Sequence, residues 1–324
     1  MTGAEPAGRA LDAVAALRAA VARPPGPLRA LLDEAVGHFD LVLRERPAGT
    51  VAATAVPDGV FAALGPGPAP PGLLAAAAAT YLALDVLDDR MDGAEPAFWG
   101  GRRPGEVVVG AQALLQLAAQ VVADGAAPAV ADRMRVLYRT MILDVGEGQL
   151  RSEQPLTEAT TPDTVGTAIS ARSGAMLAGF AAMAAVAAHA REPVVEAART
   201  FGHELGVARQ HLNDLTELAG DETTDLRNGT ATLAPALALQ VLDPAGRRRL
   251  IDLMHAAADG PAARRRLVSD ELATAIAEVG VVIQLHLRRA QLGVAELGGS
   301  AEGTGSLMNL VELTAATLRR SRVR

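Results

Sequence analysis

Cysteine and lysine are both missing from this 324-residue chain, and Phe, Tyr and Trp together supply only 2% of it. Without cysteine there is neither a disulfide framework nor a thiolate metal site, and the redox compartment stays open. Without lysine, every fixed positive side chain is an arginine, so phosphate recognition would fall to guanidinium groups. The scarcity of rings leaves few π faces to steer a cation. Strand-forming alternation is also lacking over long stretches, which moves the fold class towards all-α. The formal charge of −7 argues against nucleic acid or an anionic membrane surface as the main partner, since both recruit clustered basic residues. The opening "MTGAEPAGRALDAVAAL" carries acids and a proline where a signal peptide needs an apolar core. No apolar stretch reaches the ~18 residues of a membrane span. The expectation is a soluble, cytoplasmic protein with a small-molecule ligand and no integral membrane segment.

What the chain does have is apolar residues, 50% of the total, enough to bury a large core. Helical periodicity runs through most of it, broken by short Pro/Gly-rich joints such as "GPGPAPPG" (65–72) and "GGSAEGTGS" (298–306). The pattern predicts helices over residues 10–22, 27–45, 73–92, 105–123, 127–150, 164–190, 193–219, 231–241, 245–258, 262–294 and 306–320. "AAAAATYLAL" and "GAMLAGFAAMAAVAA" are apolar all round, as helices enclosed by other helices are. With no linker of domain-separating length and no fixed repeat, the expectation is one domain over residues 1–324, a large helical bundle.

Two segments break the apolar pattern. In "LALDVLDDRMDG" (82–93), Asp85, Asp88, Asp89 and Asp92 fall on one helix face within a sector of roughly 100°. Close carboxylates repel unless a cation neutralises them, and a hard divalent ion with oxygen ligands is the natural candidate. An acidic stripe facing water is the plain alternative. In "GVARQHLNDLTELAGD" (206–221), Gln210, Asn213, Asp214, Glu217 and Asp221 share a second sector of roughly 100°. Two oxygen-rich faces on separate helices suit a site assembled from both.

These segments resemble the trans-prenyl diphosphate synthases of the class I isoprenoid synthase fold. Asp88-Asp89-Arg90-Met91-Asp92 is similar to the family's first DDxxD motif and "RQHLNDLTE" (209–217) to its second. "GQL" (148–150) and "ARSGAML" (171–177) resemble two further family segments, over a match from about residue 40 to 240. The resemblance implies an all-α bundle around a central cavity and a homodimer. It implies Mg2+ held by Asp88, Asp89, Asp92, Asn213, Asp214 and Glu217, with Asp88, Asp89, Asp92 and Asp214 catalytic. It further implies an allylic prenyl diphosphate gripped by Arg172, Gln210, Arg102 and Arg103, with Arg44 and Arg46 as a loose counterpart of the isopentenyl diphosphate grip. Small residues before the first motif, Thr80 and Ala83, with Leu84 beside them, imply a chain-length pocket for products of about twenty carbons.

The departures keep alternatives open. Where the family carries a lysine after its second motif, this chain has Thr230, and "GAEPAFWGG" (93–101) separates Asp92 from Arg102. Head-to-tail elongation with isopentenyl diphosphate, terpene cyclisation without it, and a non-catalytic helical subunit all fit. Ionising an allylic diphosphate needs groups that stabilise the departing charge above a dry pocket, and acids and arginines over Ala and Leu supply both.

Overall fold

The computed structural model describes residues 5–22, 24–45, 52–93, 99–220 and 224–321. Among them there is no strand, only an isolated bridge between Pro155 and Thr230. The helices are, in chain order, α1 (Glu5–Val21), α2 (Gly26–Glu45), α3 (Ala52–Leu64), α4 (Pro71–Met91), α5 (Pro104–Val121), α6 (Pro128–Ser152), α7 (Pro162–Ile169), α8 (Ala175–Ala187), α9 (Glu192–Ala219), α10 (Thr224–Asn228), α11 (Leu233–Val241), α12 (Pro244–Asp259), α13 (Pro261–Arg266), α14 (Ala273–Leu297) and α15 (Ala301–Ser321). A π-helical turn, Ser170–Gly174, joins α7 to α8, and a second, Leu267–Glu271, follows α13.

The all-α expectation holds. Starts are marked by proline at the first helical position in α4, α5, α7 and α12, where the missing N–H costs nothing. Thr161 and Asp243 cap α7 and α12, the latter accepting from Gly246 N–H at 2.6 Å. Two helices were not expected. No helix was expected over "AATAVPDGVFAAL", yet α3 runs through Pro57. Its end is fastened by tertiary bonds, Ser300 N–H to Ala63 O at 2.8 Å and Ser300 Oγ to Ala62 O at 2.9 Å. α10 is a single short turn that no periodicity could announce. The expected helices 164–190 and 262–294 are real but interrupted by the two π turns.

The chain divides into two compact units. The first comprises residues up to Thr140 with Gly179–Arg199 and Val294–Leu310; the second comprises Met141–Ala178, Thr200–Gly293 and the chain from Val311 on. In the first, α4 is the central element: Leu73–Thr80, Leu82, Ala83 and Val86 are buried, and α5, whose buried residues include Leu114, Leu117 and Ala118, packs along it. In the second, the buried residues of α9 include Phe201, Leu205, Val207, Ala208 and Leu212.

The expectation that nothing here is long and apolar enough for a membrane span needs correction. The stretches Pro71–Met91 and Pro162–Ala187 pass that test by length and composition, because single polar residues interrupt the runs without changing their average. In the fold, 61% and 67% of those windows are buried, the behaviour of core helices enclosed by protein.

A further buried feature lies in the second unit. His211 is 2% exposed and its Nδ1 meets no partner among the described residues, while its ring lies 6.1 Å from that of His286. His286 Nδ1 in turn stands 2.6 Å from Glu204 Oε2. Burial, helped by His286, lowers the His211 pKa to about 4. A neutral His in the fold competes with a His that protonates near 6.5 once unfolded, so the unfolded chain binds the proton first. Stability should therefore fall as pH drops from about 6.5 to about 4, by ~3 kcal/mol at most. Thermal denaturation of the parent and of His211→Leu across that range is the check: the variant should lose much of this acid sensitivity, and identical profiles would contradict the assignment.

Candidate active site

In the first unit, the acidic segment is the C-terminal end of α4. Eleven buried residues precede or flank Asp85, and then Asp85, Asp88, Asp89 and Asp92 are all half-buried. The helix stops at Asp92, whose N–H reaches Asp88 O at 2.9 Å, and Gly93 follows in the left-handed region at φ 70°, which glycine adopts without a Cβ penalty. The acids thus stand where the helix dipole is already negative, and the last turn carries one basic residue, Arg90. Dipole and mutual repulsion both disfavour that charge, so a cation brought to this end would relieve it.

Below the acids, Thr80 and Ala83 are buried and Leu84 is half-buried. Thr80 does not simply leave room. Tyr138 of α6 donates its hydroxyl hydrogen to Leu115 O at 3.2 Å, and Thr80 Oγ1 lies 3.0 Å from the same phenol oxygen. The Tyr138 ring packs at 6.5 Å from Phe180, and burial pushes its phenol pKa up to about 12. The space expected beside Thr80 is therefore walled by an aromatic from another helix.

The basic residues assigned to this unit are engaged with protein. Arg102 Nη2 lies 2.6 Å from Glu34 Oε2, and Arg103 pairs with Glu106 at the start of α5, where Glu106 also accepts the Arg103 N–H at 3.0 Å. Trp99, three residues before Arg102, is fully buried with Nε1 donating to Leu31 O at 3.3 Å. Arg44 falls in the last turn of α2, and Arg46 lies outside the described residues, as does Asp221.

The second unit collects the other expected residues. Gly148 on α6 faces the π turn so closely that a Cβ there would come within 2.4 Å of Arg172 N. This contact brings Arg172 Nη1 to Gln149 Oε1 at 3.1 Å. One residue on, Ser173 Oγ donates to Gln210 Oε1 at 2.8 Å, and Gln210 Nε2 donates to Asp214 Oδ1 at 2.9 Å. π turns recur at functional sites because they re-aim side chains within a helix, and this one directs Arg172 and Ser173 to separate partners. Burial raises the Asp214 pKa to about 6, although the Gln210 hydrogen bond and the Arg172 charge both act to lower it. Glu217, half-buried one turn further along α9, accepts the backbone N–H of Asp225 at 2.7 Å. Asn213 is exposed. Asp214, Glu217, Asp225, Thr230, Thr232 and Met254 line one cleft.

Gly148, Gln149, Ser173 and Tyr138 were not singled out from sequence as site residues. The first three stood inside "GQL" and "ARSG", so the segments were visible but the pairing was not. Among the described residues, no three His, Asp or Glu side chains converge as a closed metal site.

No family model matches the sequence, and no curated protein is similar to it at the sequence level. Solved structures are similar in fold. A geranylgeranyl pyrophosphate synthetase from Pyrococcus horikoshii superposes with a TM-score of 0.79 at 18% identity, over 96% of this chain and 97% of that one. A decaprenyl diphosphate synthase from Rhodobacter capsulatus gives 0.76 at 17% identity over 98% and 99%. A heptaprenyl diphosphate synthase from Staphylococcus aureus gives 0.76 at 15% over 97% and 99%. The chain has the isoprenoid synthase fold.

The Gly148 contact can be tested directly. Adding a methyl group against the Arg172 backbone overpacks a rigid junction, so Gly148→Ala should destabilise by about 1–3 kcal/mol in chemical denaturation. A change below half a kcal/mol would mean that the junction yields freely.

Proposed function

We propose that this chain is an Mg2+-dependent isoprenoid synthase: it ionises an allylic prenyl diphosphate and joins it head to tail to isopentenyl diphosphate, ending near twenty carbons. The observation that carries the reading is the Arg172–Gln149 and Ser173–Gln210–Asp214 constellation at positions similar to the diphosphate-handling segments of the trans-prenyl diphosphate synthases, on a fold shared with enzymes of that activity. In the reaction the carbon–oxygen bond to diphosphate breaks, the allylic cation is attacked by the double bond of isopentenyl diphosphate, and a proton leaves.

The donor set suits the ion. Mg2+ takes oxygen ligands, commonly one or two carboxylates with phosphate oxygens and water completing the shell, so a closed protein cage is not needed. Asp88, Asp89 and Asp92 on α4 are the residues that would hold it in the first unit, and Asp214 with Asn213 on α9 those that would hold it in the second. When bound, it offsets the charge of the departing diphosphate. Arg172 adds a guanidinium fixed by Gln149, a geometry suited to phosphate oxygens. Asp214, with its pKa raised to about 6, would be drawn to its charged form by a cation. The same resemblance supports a homodimer as the working form.

A second reading is favoured by one feature. Thr230 brings no charge, and Arg102 and Arg103 are tied to Glu34 and Glu106, which leaves few cations for isopentenyl diphosphate. A terpene cyclase would need none. Incubation with Mg2+ and dimethylallyl, geranyl, farnesyl or geranylgeranyl diphosphate, with and without isopentenyl diphosphate, separates the two. Longer diphosphates formed only in its presence support elongation, and hydrocarbons or alcohols formed without it support cyclisation.

Two further outcomes are expected. Asp88→Ala and Asp214→Ala should each reduce pyrophosphate release at least about a thousandfold; rates within tenfold of the parent in both would remove the assignment. Tyr138 sits about 12 Å along the helix from Asp88, at the level of Thr80. Tyr138→Ala should therefore shift products to longer chains and Ala83→Phe to shorter ones, as read by mass spectrometry. Unchanged lengths in both would show that this wall does not limit the product.

A further inference from the structure

The segment that follows the second acidic motif is pinned at successive points. Arg264 Nη1 donates to Gly220 O at 2.8 Å, at the end of α9. Asp225 N–H donates to Glu217 Oε1 at 2.7 Å. Thr230 N–H returns to Asp225 O at 2.9 Å, and Leu156 N–H reaches Gly229 O at 2.8 Å beside the Pro155–Thr230 bridge. Of these bonds, the one from Glu217 is the only one made by a residue of the acidic motif itself. It is charge-assisted, and it is made to one of the first backbone amides of α10, which have no partner inside that helix.

The segment it holds is one wall of the cleft lined by Asp214, Glu217, Asp225, Leu226, Thr230 and Met254. We propose that Glu217 is a positioning residue and not a metal ligand: its carboxylate latches the 224–230 segment against the Asp214 side of the cleft, leaving the cation-holding role on α9 to Asp214 and its neighbour Asn213. This rests on the functional reading above for what the cleft binds, but the latch itself stands on geometry alone. It also accounts for glutamate at a position where the first motif uses aspartate. The bond spans from a helix side chain to a backbone amide eight residues on, and a side chain one methylene shorter falls short of it.

Length and charge can be varied separately. Glu217→Asp keeps the carboxylate and shortens the reach, whereas Glu217→Gln keeps the reach and an accepting oxygen while removing the charge. Amide hydrogen exchange in the metal-free, substrate-free protein reads the latch without any turnover. Exchange at Asp225 and across residues 224–230 should speed up at least about tenfold in Glu217→Asp and by no more than about fivefold in Glu217→Gln, given what charged and neutral hydrogen bonds are worth. In turnover with a fixed allylic diphosphate, Glu217→Gln should need the same Mg2+ concentration for half-maximal rate within about threefold. Glu217→Asp should raise KM for the diphosphate several-fold.

The converse pattern overturns the proposal: unchanged exchange in Glu217→Asp, or a tenfold or greater rise in the Mg2+ requirement of Glu217→Gln. If the parent turns over no prenyl diphosphate, the functional reading fails while the exchange result still decides the latch.

Discussion

Negative charge at the end of a buried helix is the constraint on which the rest depends. α4 is buried through most of its length and cannot move independently of the core of its unit, yet its last two turns hold four aspartates at the negative end of the helix dipole. Neutral packing fixes the helix, and the packing in turn fixes the carboxylates, whose repulsion would otherwise spread them apart. Such an arrangement concentrates negative charge at one end of a fixed helix, a position that favours a cation placed there.

The second unit solves a different problem, how to present polar groups without losing their orientation. Arg172 is held by Gln149 and Asp214 by Gln210, which is itself held by Ser173. Each of these side chains therefore has a partner that sets its direction, the condition under which a buried polar network is worth having. The close approach at Gly148 and the π turn at Ser170–Gly174 make this possible. One lets two backbones meet; the other turns successive residues towards different neighbours.

Much of the fold was legible because helical periodicity and Pro/Gly joints are local signals. Around Pro57 no helix was read, and there the structure forms α3 and fastens its end to Ser300. The aspartates and the second acidic face were legible for the same reason, since side chains three and four apart must share a helix face. The partner of Arg102, and the ring of Tyr138 against Thr80, were not, because a residue's partner across dozens of positions leaves no trace in spacing.

The sequence by itself determined that the chain is helical, that its apolar helices are interior, and that carboxylates gather on two faces, all consequences of composition and a period of 3.6 residues. Only the tertiary structure decided what each of those groups is doing. Glu217 and Asp214 lie on one helix and look alike in sequence. Yet one is spent on the amide of Asp225, and the other is oriented by Gln210 at a pKa of about 6. The difference arises from what the rest of the chain places opposite them, and hydrogen bonding and desolvation are properties of that placement.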